Sequence, residues 1–314
     1  MNSELWYKYG VQYYQFNNPV NYKQALVCSD NCIKTFVQSE ISKMSNNRLK
    51  WYAVGFLLFG DCLFKLVDTK KQERVSQIKL YFESIEKYQK AALLAEKCKE
   101  YYTILQSLKA FYLSVIQIID QQQNRVELVP YFSNFHDILI SNKVQVLFSD
   151  PDFLLLFYSI FCTCINEKKE WSLGEKVISE AVKYIPDNYK SFLNEHRLFY
   201  MSKQGKSFLQ SLTGSDEKDV VSKAKLYVKL ARSSANKVDQ FNAYSKAIEL
   251  LKNDDNVVVT DIMFEMATWL YKNNHPIEDV EEQLLQATDV LLEIEPIFDE
   301  EDNLDDDMTL VKYY

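Results

Sequence analysis

Apolar residues recur at spacings of three and four along almost the whole of this 314-residue chain, the period of helices that each bury one face. The pattern predicts helices over 3–16, 20–45, 48–68, 74–99, 101–122, 126–142, 151–167, 171–184, 189–203, 218–235, 239–253, 257–273 and 277–294. A further short helix is predicted within 205–213. Asn, Asp, Gly and Pro cluster at the breaks, as at Asn17-Asn18-Pro19, Pro186-Asp187-Asn188 and Asn273-Asn274-His275-Pro276, where such residues close one helix and open the next. The expected fold class is all-α.

A second regularity sits on the first. Trp6, Tyr9, Gly10 and Tyr13 follow the spacing W-x2-Y-G-x2-Y, close to the first helix of a tetratricopeptide unit, W-x2-L-G-x2-Y. The pattern returns as Trp51, Val54, Gly55 and Leu58, and in weaker form as Tyr227, Leu230, Ala231 and Ser234, with Ala243, Ala247 and Leu250 on the helix that follows. The fullest register places Tyr158, Phe161, Cys162 and Ile165 on a first helix, and Gly174, Ile178, Ala181 and Pro186 on its partner. A last pair has Met263, Met266, Ala267 and Leu270, then Leu284, Thr288, Leu291 and Pro296. Small residues in these positions let paired helices approach, and large ones fill the seams. The units are uneven, 45 residues from Gly10 to Gly55 but 36 from Ala231 to Ala267. The expectation is therefore a tetratricopeptide-like helical-hairpin solenoid with irregular repeats over 1–295, each pair burying its apolar face on the next, followed by a flexible acidic tail over 296–314.

Composition supports helices and removes several functions. Only 6 Gly and 6 Pro are present, too few for the turns of a β-rich chain or the loops of a doubly wound one. The net charge of −8 is more than accounted for by Glu293–Asp307, which holds nine acids and no Lys or Arg. The rest is close to neutral, so no basic field for nucleic acid is expected. The 14% aromatic content falls on repeat-core positions such as Trp6, Tyr13, Trp51 and Tyr158. In pairs such as Tyr13-Tyr14 and Tyr101-Tyr102, however, one ring must face outward as an anchor for a partner. The longest apolar run, Phe153–Ile165, falls short of the roughly 20 residues that span a bilayer, and no export signal is legible at the N-terminus.

Candidate chemistry is sparse. Six Cys are present without a C-x2-C pair. Cys28 and Cys32 share a helix face, but no His stands near them, so buried reduced thiols in a reducing compartment are expected. The three His, His136, His196 and His275, have no Ser or Cys signature beside them. No glycine-rich phosphate loop occurs. Asn253, Asp254 and Asp261 loosely imitate the magnesium motif of all-helical terpenoid synthases, with Asp305-Asp306-Asp307 as the aspartate-rich counterpart. Val257 stands where a hydroxyl should ligate, and the oxygens do not converge. No catalytic, metal or cofactor residues are expected.

Residues 220–292 resemble the large tetratricopeptide-like cilia- and flagella-associated proteins of the axonemal central apparatus. The resemblance is carried by Leu230-Ala231-Arg232, Ala243-Tyr244 with Lys246-Ala247-Ile248, and Trp269-Leu270 before His275-Pro276 and Asp279-Val280. Members of that family are usually far longer, so the chain reads either as an N-terminal piece or as a compact relative. The resemblance implies a non-catalytic structural role in a hetero-oligomeric axonemal assembly, with protein neighbours and no nucleic acid or membrane. Two rival readings stand beside it, a cytosolic tetratricopeptide-type adaptor and an all-helical magnesium-dependent enzyme.

Overall fold

The computed structural model describes residues 2–34, 36–142, 151–209, 219–251 and 256–293. Among them every regular element is helical. The chain divides into two compact units, Met1–Gln204 and Gly205–Tyr314. The acidic tail predicted over 296–314 lies outside the described residues, as do residues 210–213 of the short helix predicted within 205–213.

The first unit contains α1 (Ser3–Gln15), α2 (Pro19–Ile33), α3 (Asn46–Lys65), α4 (Arg74–Cys98), α5 (Tyr101–Ile116), α6 (Gln122–Ser141), α7 (Pro151–Lys168), α8 (Trp171–Ala181) and α9 (Asp187–Lys203). Its starts follow capping chemistry. The side chains of Asn2, Asn18 and Ser45 accept hydrogen bonds from the backbone N–H of Glu4, Asn21 and Arg48, which satisfies donors that a helix start leaves open. Two of its hairpins close alike. Lys99 and Lys169 adopt left-handed backbone, with φ of 60° and 59°. The next N–H in each case reaches back five residues, Glu100 to Ala95 O and Glu170 to Ile165 O, so the chain reverses within two residues.

Packing then runs along the sequence. α1 packs on α2 and α3, α3 on α4 and α5, α4 on α6, and α6 on α7 and α8, with α9 against α8. Each helix thus touches its next neighbour or its next but one. The centre is a run of aromatic rings from α5, α6 and α7. Phe111 lies 4.5 Å from Phe135, and Phe132 lies 5.1 Å from both Phe157 and Phe161.

One predicted element is broken. The expected helix over 20–45 ends at Ile33, and a 3-10 segment, Gln38–Lys43, follows. The break lets Phe36 turn inward, where its ring meets Tyr52 at 5.4 Å and Phe56 at 5.3 Å. A helix continuing past Ile33 would forgo that partial burial, worth a fraction of the about 1.5–3 kcal/mol that a fully buried Phe side chain contributes.

The second unit contains α10 (Val220–Ser233), α11 (Lys237–Leu251), α12 (Asn256–Lys272) and α13 (Ile277–Leu292). Each packs on the next. The Asp219 carboxylate caps α10 by accepting from Val221 and Ser222 N–H. Asn274, at φ 58°, closes the α12–α13 hairpin in the same manner as Lys99 and Lys169, with His275 N–H bonded to Leu270 O.

Candidate functional site

The residues singled out by the repeat pattern lie mainly at helix crossings. Gly10 on α1 is buried where α2 and α3 converge, and a Cβ there would stand 2.7 Å from Leu58 Cδ2 and 3.2 Å from Cys28 Cβ. Gly55 on α3 faces Cys32 of the preceding helix, 2.7 Å from a notional Cβ, rather than the following helix. That second role falls to Gly60, one turn further on, whose notional Cβ meets the Tyr88 ring of α4 at 2.5 Å. Gly174 on α8 opposes the Tyr200 ring of α9, not α7.

Tyr158, Cys162, Ala181, Tyr227, Ala231, Ala243, Ala247 and Ala267 are all buried. Pro186 is the residue before α9 and sets its start. Trp6 and Trp51 are half-buried, the latter with its ring 5.9 Å from Tyr7. Trp269 is half-buried too, its indole N–H donating to Gln240 Oε1 at 2.6 Å.

Two placements differ from expectation. Tyr13 is exposed, and it is Tyr14 that turns in, 5.4 Å from Tyr22; on the helix the two rings point about 100° apart, and α2 lies on the Tyr14 side. On α13 the expected inward set was Leu284, Thr288 and Leu291; Leu291 is half-buried, but Leu284 and Thr288 are exposed, and the buried residues are Val280 and Ala287. Leu284, at 39%, is exposed beside them.

One cluster unites chemistry-bearing side chains from three helices. His136 on α6 is buried, with Nδ1 3.1 Å from the Tyr158 hydroxyl of α7 and Nε2 3.0 Å from Glu180 Oε2 of α8. An ionised carboxylate only accepts, so in neutral His136 the Nε2–H donates to Glu180 and Nδ1 accepts from the Tyr158 O–H. Burial holds the imidazole pKa below its usual value, against the opposing pull of Glu180. The same burial raises the Tyr158 phenol. The order Tyr–His–Glu matches a nucleophile, a base and an orienting acid, but Tyr158 has no solvent-exposed surface and no substrate atom can reach its oxygen. The arrangement works as a polar clasp across three helices. Its members stand 22 and 44 residues apart, and local sequence carries no sign of their meeting.

A second polar pair lies between α3 and α4. The Tyr88 hydroxyl donates to Asp61 Oδ1 at 3.0 Å. Desolvation pushes the Asp61 carboxyl up to about 6 despite that bond and the nearby Lys65 ammonium. The thiols are quiescent. Burial pushes Cys32, Cys62, Cys162 and Cys164 up to about 12, so the nucleophilic, metal-binding thiolate is negligible at neutral pH. Among the described residues no three His, Cys, Asp or Glu side chains are grouped to hold a metal. Of the terpenoid-synthase-like motif, Asn253, Asp254 and Asp305-Asp306-Asp307 lie outside the described residues, while Asp261 sits on α12.

The remaining features are faces rather than clefts. On α1 and its C-cap residue, Leu5, Tyr9, Tyr13 and Phe16 are exposed and fall on one stripe, by their spacing of four, four and three. Tyr102 on α5 is 73% exposed, the outward member of its tandem pair. On α13, Ile277, Leu284, Leu285 and Leu292 are exposed and form a second stripe. Among the described residues no helix is long and apolar enough to cross a membrane. No known family model matches the chain.

Proposed function

We propose that this chain is a non-catalytic scaffold for protein–protein association, built from tetratricopeptide-like helical hairpins, and that it serves as a structural part of a ciliary or flagellar central-apparatus projection. The observation that carries the scaffold reading is the packing of the first unit, where helices lean on their next and next-but-one neighbours across glycines that admit no Cβ. Units of that kind hold side chains rigidly and present long helix faces to partners. The outward apolar stripe Leu5, Tyr9, Tyr13 and Phe16 supports it, because exposed Tyr side chains are efficient interface anchors. The ciliary assignment rests on the resemblance of residues 220–292.

Tagged chain expressed in a ciliated cell tests both halves. Retention with the detergent-extracted microtubule core, and release together with central-apparatus proteins, is the expected result. Recovery in the detergent-soluble fraction with cytosolic neighbours would transfer the chain to the adaptor class. Magnesium with inorganic diphosphate is expected to leave the melting temperature unchanged; a rise would revive the enzyme reading.

A further inference from the structure

α13 is the last described helix of the second unit, and one of its faces carries exposed apolar side chains. Ile277, Leu284, Leu285 and Leu292 are 52%, 39%, 65% and 72% exposed. Their spacing of seven, one and seven lays them along one side of the helix over its whole length. An apolar stripe four turns long is far more than scattered surface leucines, and such stripes mark interaction sites.

The charge around it identifies what fits. α13 carries Glu278, Asp279, Glu281, Glu282 and Asp289 and no Lys or Arg. Glu278, Glu282 and Asp289, spaced four and seven apart, form a row along one flank of the stripe, and Glu281 lies within it. All four show exposed side chains. The segment that follows adds nine acids through Asp307. Two occupants are disfavoured on that ground. The chain's own Glu293–Asp307 would bring acid onto acid. A second copy docking through the same face would set each acidic row against its twin with no base between them.

We propose that the outer face of α13 is a docking site for an amphipathic helix of a protein partner, whose leucine-type anchors cover Ile277, Leu284, Leu285 and Leu292 and whose Lys or Arg residues pair with Glu278, Glu282 and Asp289. The proposal rests on the scaffold reading and names where, and by what chemistry, one partner is held. The mode is helix on helix face, with anchors at heptad spacing and flanking charge that speeds encounter and fixes register.

The test uses the full chain and a fluorescent 18-residue Leu/Lys amphipathic peptide, followed by anisotropy, with hydrogen exchange to locate it. Saturable binding with protection of 277–292 is expected, together with a loss of at least tenfold in affinity for Leu285→Gln/Leu292→Gln. Glu278→Gln/Glu282→Gln/Asp289→Asn is expected to weaken binding several-fold and to flatten its salt dependence. Because the substituted side chains are exposed, both variants should melt with the wild type; a collapse in melting temperature would mean the stripe is already covered, and would overturn the proposal. Equal affinity in all three proteins, or protection elsewhere, would overturn it too. So would wild-type self-association in sedimentation that Leu285→Gln/Leu292→Gln abolishes, which would give the face to a second copy. Any of these failures leaves axonemal retention of the tagged chain untouched, so the site and the scaffold reading fail separately.

Discussion

Gly174 on α8 and Tyr200 on α9 occupy one space. A Cβ on Gly174 would stand 2.6–2.8 Å from three atoms of the Tyr200 ring, and the ring cannot retreat freely because its hydroxyl donates to Cys162 O at 3.3 Å. The seam between the two helices therefore depends on a missing methyl group and on an aromatic side chain tied at its far end.

Gly174→Ala should destabilise the first unit by about 1–2 kcal/mol. Overpacking costs about 1–3 kcal/mol, while the helix propensity of Ala over Gly returns up to about 1 kcal/mol. Urea unfolding followed by circular dichroism measures the balance. A variant as stable as the parent would mean that the Tyr200 ring moves aside at no cost.

The Asp61 carboxyl gives a pH dependence with a definite sign. Its folded pKa is raised from 3.8 to about 6, so between those values the folded state holds more protons than the unfolded one. Stability then falls as pH rises from about 4 to about 6. Asp61→Asn keeps an acceptor for the Tyr88 hydroxyl and removes the buried charge. It should stabilise the first unit at pH 7 by an amount of order 2 kcal/mol and abolish that slope. Thermal melts of both proteins across this range decide it.

His136 contributes the opposite slope. Its folded pKa lies below 6.5, so the unfolded chain takes up protons first and stability is lost as pH falls from about 6.5. His136→Gln should remove this loss, while costing roughly 1–3 kcal/mol at neutral pH through unsatisfied polar groups. Tyr158→Phe combined with His136→Gln in a double-mutant cycle should return a coupling of roughly 0.5–3 kcal/mol. Strict additivity would show that the clasp is a chance proximity.

In the second unit, Glu265 on α12 accepts from Arg232 Nε of α10 at 2.6 Å and from the Tyr244 hydroxyl of α11 at 2.8 Å. These bonds hold its carboxyl below the usual range, with Arg232 the larger cause. The contribution is present above the ordinary carboxylate pKa and lost as pH falls below it. Glu265→Gln should cost about 1 kcal/mol at pH 7, read as earlier melting of 219–293 in hydrogen exchange. Unchanged exchange there would mean that the three-helix contact holds without the charge.

Local sequence determined the helices and most of their breaks, because apolar period, capping side chains and turn residues act within a few positions of one another. It also marked Gly10, Gly55 and Gly174 as places of close approach, since a glycine inside a helix serves no local need there and must answer to a neighbour. Which neighbour was beyond it. Gly55 admits the preceding helix and Gly174 the following one, because a helix can be approached from several sides at equal local cost. Gly60 carried the same mark as Gly55, but it stands outside the repeat spacing.

The break at Ile33, the outward turn of Tyr13, the burial of Val280 and Ala287 on α13 and the meeting of His136 with Tyr158 and Glu180 were decided by tertiary packing alone. In each, the free energy comes from burial or hydrogen bonding between segments far apart in the chain, and the periodicity of one helix holds no record of what will lie against it.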